Sequence, residues 1–154
     1  MQRWGAKYWK EFDKHKIMYP NMTKYMPFYY DEHSFFINDK GFIITGKHIS
    51  YLVAFFNSSL FKYCFIDDFP PLGEDRRELR KVYFDKIPVL EVNDSIDDEF
   101  RDLVLDIQNE YSDEKAKAID SRIFDLYGLT QEERDTIGYI DFHNNGDNSD
   151  EDDE

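Results

Sequence analysis

Four basic side chains, Arg76, Arg77, Arg80 and Lys81, fall within six positions of the segment Glu74-Asp75-Arg76-Arg77-Glu78-Leu79-Arg80-Lys81. A guanidinium is a planar fork of donors that meets two acceptors at once. Arginines at this density can therefore contact phosphate oxygens or read a guanine edge by bidentate pairing. The segment lies between a loop containing Pro70, Pro71 and Gly73 and the aromatic pair Tyr83-Phe84. Lys24 with Tyr25, Lys40 and Lys47 are fainter candidates for the same chemistry. The competing reading is a solvated segment whose arginines pair with Glu74, Asp75, Glu78 or the acidic half of the chain, since surface ion pairs are common and contribute little.

Other chemistries find less support. Metal centres need clustered ligands, and His15, His33, His48 and His143 are scattered singly, with no H-x-x-x-H or C-x-x-C spacing. No glycine-rich phosphate loop of the G-x-G-x-x-G or Walker type is present. Cys64 is the lone cysteine, set in an apolar run, and reads as a small buried hydrophobe. A carboxylate two residues before a lysine, the pairing a metal-dependent nuclease uses, occurs at Asp113-Glu114-Lys115. It falls at the start of an acidic helix and reads as a solvated face. No catalytic residue and no metal ligand is assigned.

The elements that must position the basic residues follow from hydrophobic patterning. Lys16 to Pro20 is a short strand stopped by Pro20, and a second extended segment begins at Pro27. Apolar clusters on both sides of Asn38-Asp39-Lys40-Gly41 predict a hairpin over Phe35 to Thr45. Ile49, Leu52, Val53, Phe56, Leu60 and Tyr63 recur at helical spacing, predicting a core helix over Lys47 to Phe65. Asn57-Ser58-Ser59 interrupts it on the flank and marks a bend or break. Asp67 to Asp75 reads as a loop and Lys81 to Phe84 as a strand or extended segment. Further on, Ser95 to Asp98 opens a helix running to Tyr111, and a second runs from about Ser112 to Tyr127 and is stopped by Gly128. Thr130 with Glu133 opens a last short helix. Asn144 to Glu154, acidic and without apolar anchors, is expected to be disordered.

With 154 residues, 41% of them hydrophobic and 18% aromatic, the chain can build one core. No apolar run is long enough for a membrane span and the N-terminus is too charged for a signal peptide, so a cytoplasmic location is expected. The net charge of -14 is unevenly spread. Met1 to Leu90 holds 14 Lys and Arg against 11 Asp and Glu, net +3, whereas Glu91 to Glu154 holds 5 against 22, net -17. Such polarity fits an oriented binding module better than a small-molecule enzyme, with a polyanion met by the front half.

The order of several short segments then carries a resemblance. Trp4-Gly5, Tyr8-Trp9-Lys10-Glu11-Phe12, Lys16 to Pro20, Phe28-Tyr29-Tyr30-Asp31, Phe42 to Gly46, Tyr51 to Ser58 and Ile87-Pro88-Val89 resemble the TaqI-like C-terminal specificity domain of type IIG, Eco57I-like restriction-modification enzymes and adenine-N6 DNA methyltransferases. Ile123 to Glu133 is similar to the stretch that closes such proteins. The resemblance implies a target recognition domain that reads double-stranded DNA and positions methyltransferase and endonuclease domains, here as the C-terminal part of a longer enzyme. S-adenosylmethionine and Mg2+ would serve that parent enzyme, with no cofactor in this chain. Base contacts in such domains lie in variable loops, so Arg76, Arg77, Arg80 and Lys81 stand on charge and position alone. The expected fold is α+β, a small mostly antiparallel sheet packed on a core helix. Residues 1-92 form the recognition core, 93-142 a helical segment and 143-154 the acidic tail. The alternative is a protein interaction module docking through its acidic helices on a methyltransferase or nuclease partner.

Overall fold

The computed structural model describes residues 15–20, 22–23, 27–33, 41–73 and 76–139. Strands β1 (Lys16–Pro20), β3 (Tyr29–Asp31) and β4 (Gly41–Ile44) form an antiparallel sheet in the order β3-β1-β4. Ile17 is paired with Tyr30 and with Ile44, and Tyr19 with Phe42. Ile17 and Tyr19, on one face of the strand, enter the core. The predicted hairpin is seen only in its second strand, β4, because residues 34–40 lie outside the described residues. Lys16 and Asp31 face each other across the sheet as a fully buried ion pair.

The apolar run after β4 forms two helices, α1 (Ile49–Phe56) and α2 (Ser59–Phe65), bent by 66° at the polar triplet. Each residue of the triplet has its own task. Asn57 accepts from the Phe28 N–H (3.1 Å) and donates to the Phe28 carbonyl (2.7 Å). Ser58 caps α2 by accepting from the Phe61 N–H (3.1 Å) while its hydroxyl donates to the Phe55 carbonyl (2.6 Å). Ser59 donates through its N–H and hydroxyl to Asp120 (2.9 and 2.5 Å). The bend is therefore where the sequence puts it, but Ser58 and Ser59 are buried rather than on the flank. The change of direction also rephases the apolar face: Tyr63, expected inside, is 57% exposed, and Cys64, expected as a buried hydrophobe, is exposed as well.

Two further expectations are corrected. The stretch read as a loop contains a 3-10 turn (Ile66–Asp68) and strand β5 (Pro71–Leu72). β5 pairs with β6 (Arg76–Glu78), which pairs in turn with β2 (Met22–Thr23), giving a second sheet in the order β2-β6-β5. Prolines are tolerated there because β5 is an edge strand, whose outward N–H needs no partner. Lys81 to Phe84, read as extended, is one helical turn, α3 (Lys81–Phe84), closed by an i,i+4 Lys81–Asp85 ion pair at 2.8 Å. Packing explains it: Tyr83 and Phe84 both lie on Phe69, at centroid distances of 5.9 and 4.9 Å. Adjacent side chains on a strand point to opposite faces and would not do so.

The C-terminal helices are α4 (Asp94–Asn109), α5 (Asp113–Leu126) and α6 (Gln131–Ile137). α4 begins slightly earlier than expected because Asn93, not Ser95, is the cap, accepting from the Ile96 N–H at 2.9 Å. The Ser112 cap, the Thr130–Glu133 capping box and the left-handed Gly128 (φ 64°) all stand as predicted. α4 packs chiefly on α1, with Phe100 and Val104 buried, and Asp97 accepts from the Tyr51 N–H at 2.9 Å. A single apolar cluster runs from Ile17 to Phe124, centred on Phe28, Phe56, Phe61, Phe69 and Phe84. The free edge of β3 is closed by side-chain amides instead of a strand. Gln108 of α4 binds the Tyr30 N–H (2.8 Å) and carbonyl (2.9 Å) as Asn57 binds Phe28, two residues earlier on the same edge. The fold is α+β, and among the described residues no single helix is long and apolar enough to cross a membrane.

Candidate nucleic-acid interface

The basic candidates fall into two neighbouring groups. The first is set on β6. Its central place in the second sheet holds the arginines on a strand rather than a free loop, with Arg77 opposite Thr23 on one side and Pro71 on the other. Arg77 donates to the Phe69 carbonyl (3.1 Å) and to Asp67 (2.8 Å), so its guanidinium fastens the turn before β5. Arg76, its neighbour, points to the other face and is exposed, with no hydrogen bond or ion pair among the described residues. Arg80 is paired with Glu78 at 2.9 Å, which raises the guanidinium pKa further above its ordinary value. Arg80 thus pairs with Glu78, one of the partners that the competing reading names, whereas Arg77 and Lys81 pair with Asp67 and Asp85, which it does not name.

The second group lines a groove of about 770 Å3 between β4, α1, α3 and the segment 89–92. Lys47 and Lys81, far apart in sequence, both line it. Lys47 is exposed and without an ion pair among the described residues, while Lys81 is 84% exposed beside Asp85. The floor is apolar: Phe42, 44% exposed, stacks on Tyr19 with ring centroids 5.6 Å apart, and the Phe84 ring lies 5.3 Å from that of Tyr19. Burial, aided by the negative charge of Asp85, pushes the Tyr19 phenol up to about 12, so it stays a neutral donor. Leu90 forms the far wall, and its N–H donates to the Tyr127 hydroxyl at 3.3 Å, which in turn bonds the Tyr51 hydroxyl at 2.7 Å. The helical C-terminal segment therefore fixes one wall of the groove.

Lys24, Tyr25 and Lys40 lie outside the described residues. Their bonded neighbours are placed: Thr23 pairs with Arg77, and Gly41 pairs with Pro20, two residues before Met22 and its partner Glu78. The exposed apolar residues Phe42, Val89 and Leu90 were missed as site residues. The signal was faint, because a phenylalanine in an alternating strand is normally assigned to the core, and only the tertiary packing leaves this one at the rim.

The arrangement offers donors above an apolar floor. Among the described residues no group of three His, Cys, Asp or Glu side chains gathers. Lys115, of the nuclease-like pair, donates to Asp106 (3.2 Å) and the Glu110 carbonyl (2.9 Å), locking the turn between α4 and α5. Asp113 sits in the first turn of α5.

The family model of the TaqI-like C-terminal specificity domain matches residues 1–89, ending at the Val89 wall of the groove. No curated protein matches the chain. The match includes both sheets, α1 to α3 and every basic candidate residue, and it covers more than half of the sequence. The chain belongs to the family of TaqI-like C-terminal specificity domains.

Proposed function

We propose that the chain is the DNA target recognition module of a restriction-modification enzyme, reading a short duplex sequence and presenting it to methyltransferase and endonuclease domains. The family match carries this reading. The two basic groups on the matched portion supply donors of the right kind, and the net charge of -17 beyond Leu90 turns that end away from a polyanion. Within the reading the module performs no catalysis, and S-adenosylmethionine and Mg2+ are held by the parent enzyme's catalytic domains.

The roles divide by how free each side chain is. Arg76, without an ion pair among the described residues, is the assigned base reader, with Arg80 available once it leaves Glu78. Lys47, Lys81 and, from the segments bonded to Thr23 and Gly41, Lys24, Tyr25 and Lys40 contact phosphate and sugar. Arg77 contacts DNA only at the expense of its Asp67 and Phe69 bonds, so its chief task is to hold β6 in place. A good bidentate arginine–guanine contact discriminates by about 1–3 kcal/mol.

Fluorescence anisotropy on randomised duplexes at low salt tests the proposal. The wild-type chain should bind with a steep salt dependence and a sequence preference. Arg76→Ala should flatten the preference, and Lys47→Ala/Lys81→Ala should weaken all sequences alike and reduce the salt slope by about 2, roughly one per lost phosphate contact. Equal binding by wild type and the triple variant Arg76→Ala/Arg77→Ala/Arg80→Ala would remove the arginine assignment. The competing reading, docking through the acidic helices, predicts no retention on DNA or heparin columns and capture by the catalytic domains alone.

A further inference from the structure

The face of α1 opposite the groove opens on a second cavity, of about 310 Å3. Ala54, Asn57 and Ser58 line this cavity, whereas Tyr51, Leu52 and Phe56 line the groove. Its floor holds Asp120 of α5, a carboxylate only 7% exposed. Ser59 supplies two hydrogen bonds to it, and among the described residues it has no ion pair. An ionised carboxylate has about four acceptor positions, so two stay open at the edge of the cavity it lines. Burial pushes its pKa up, as expected of a buried charge without a counter-ion.

The walls are as informative as the floor. Tyr139, 46% exposed, stands on the lining and offers a ring face, which attracts cations. Residues 93–139 carry 14 acidic against 5 basic side chains, net -9, so the surroundings draw in a cation and repel an anion. Lys117 also lines the cavity but makes no ion pair with Asp120. The volume is at the small end of ligand sites and suits a single side chain better than a nucleotide.

We propose that this cavity receives an arginine side chain from a basic surface of a partner protein. The guanidinium fork meets the open acceptor positions of Asp120 and its plane lies against the Tyr139 ring. Arginine is preferred to lysine because a planar, weakly hydrated cation can both stack and hydrogen-bond, whereas an ammonium keeps its water. The inference does not rest on DNA recognition, since the cavity and the groove open on opposite faces of α1.

The test uses the full chain and a fluorescein-labelled tetra-arginine peptide at low salt, with tetra-lysine as the charge-matched control. The arginine peptide should bind about tenfold more tightly than the lysine peptide, the scale of one desolvated cation–π contact. Asp120→Asn and, as a variant that leaves the Ser59 contact intact, Tyr139→Ala should each weaken the arginine peptide by about fivefold or more. Asp98→Asn/Asp102→Asn, which removes exposed charge away from the cavity, should change it by less than about twofold. Equal affinity for the two peptides, or equal loss in the Asp98/Asp102 variant, would reduce the effect to general charge attraction and overturn the proposal.

Discussion

Replacing Asn57 by alanine should cost the fold about 2–4 kcal/mol, a large share of a small domain's stability. The value follows from what the side chain does. Its amide holds the Phe28 N–H at 3.1 Å and the Phe28 carbonyl at 2.7 Å, on a residue only 5% exposed. Each buried backbone group left unpaired costs about 1–3 kcal/mol. The lower part of the sum applies because Asn57 borders the 310 Å3 cavity, from which water can reach one of the two groups. Urea denaturation should show the loss as a lower midpoint at constant slope. Asn57→Asp should be no better than alanine, because the carboxylate keeps the acceptor but faces the Phe28 carbonyl without a donor. Gln108→Ala, which frees the Tyr30 N–H and carbonyl on the same strand edge, should cost a similar amount. The double variant should lose less than the sum, because both amides hold one short strand. A loss below about 0.5 kcal/mol for Asn57→Ala, with unchanged slope, would refute the claim that side-chain amides complete this sheet.

Breaking the buried Lys16–Asp31 pair by Lys16→Met should destabilise by about 3–5 kcal/mol, and Lys16→Met/Asp31→Leu should recover much of it in thermal melts. Asp120 gives a pH signature. Its folded-state pKa lies above the ordinary carboxylate value, so between the two the native state holds more protons than the unfolded state, and stability falls as pH rises through that interval. Asp120→Asn should therefore compare more favourably with wild type at pH 7 than at pH 4, and a pH-independent difference in denaturation midpoints would contradict this. Gly128→Ala, at φ 64°, should cost about 1 kcal/mol from left-handed backbone strain, and Thr130→Ala about 1 kcal/mol from the lost cap, both measurable by urea titration. Arg77→Ala should lower stability more than Arg76→Ala, because only Arg77 is tied to Asp67 and Phe69.

Much of this was legible in the residues, for identifiable reasons. Pro20 ending β1, the Ser112 and Thr130 caps and the positive φ at Gly128 are local events whose cause lies within four residues. The break at Asn57 was legible too, because Asn and Ser compete with the helix ladder for backbone partners. What each of them binds was not, since Phe28 and Asp120 lie 29 and 61 positions away. Tyr83 and Phe84 misled the reading of Lys81–Phe84 because aromatic residues favour strands in isolation, and the shared contact with Phe69 made a helical turn instead.

The candidate interface divides in the same way. The basic side chains and the swing from net +3 to net -17 are properties of the sequence, fixed before folding. Which of those charges is available was decided by the tertiary structure. β-pairing places Arg76 and Arg77 on opposite faces, the turn at Asp67 takes up Arg77, and β4, α1 and α3 bring Lys47 and Lys81 to one groove. A charge count is additive along a chain, but the freedom of a charge depends on which oppositely charged group folding puts within about 4 Å, and that distance is set by residues far away in sequence.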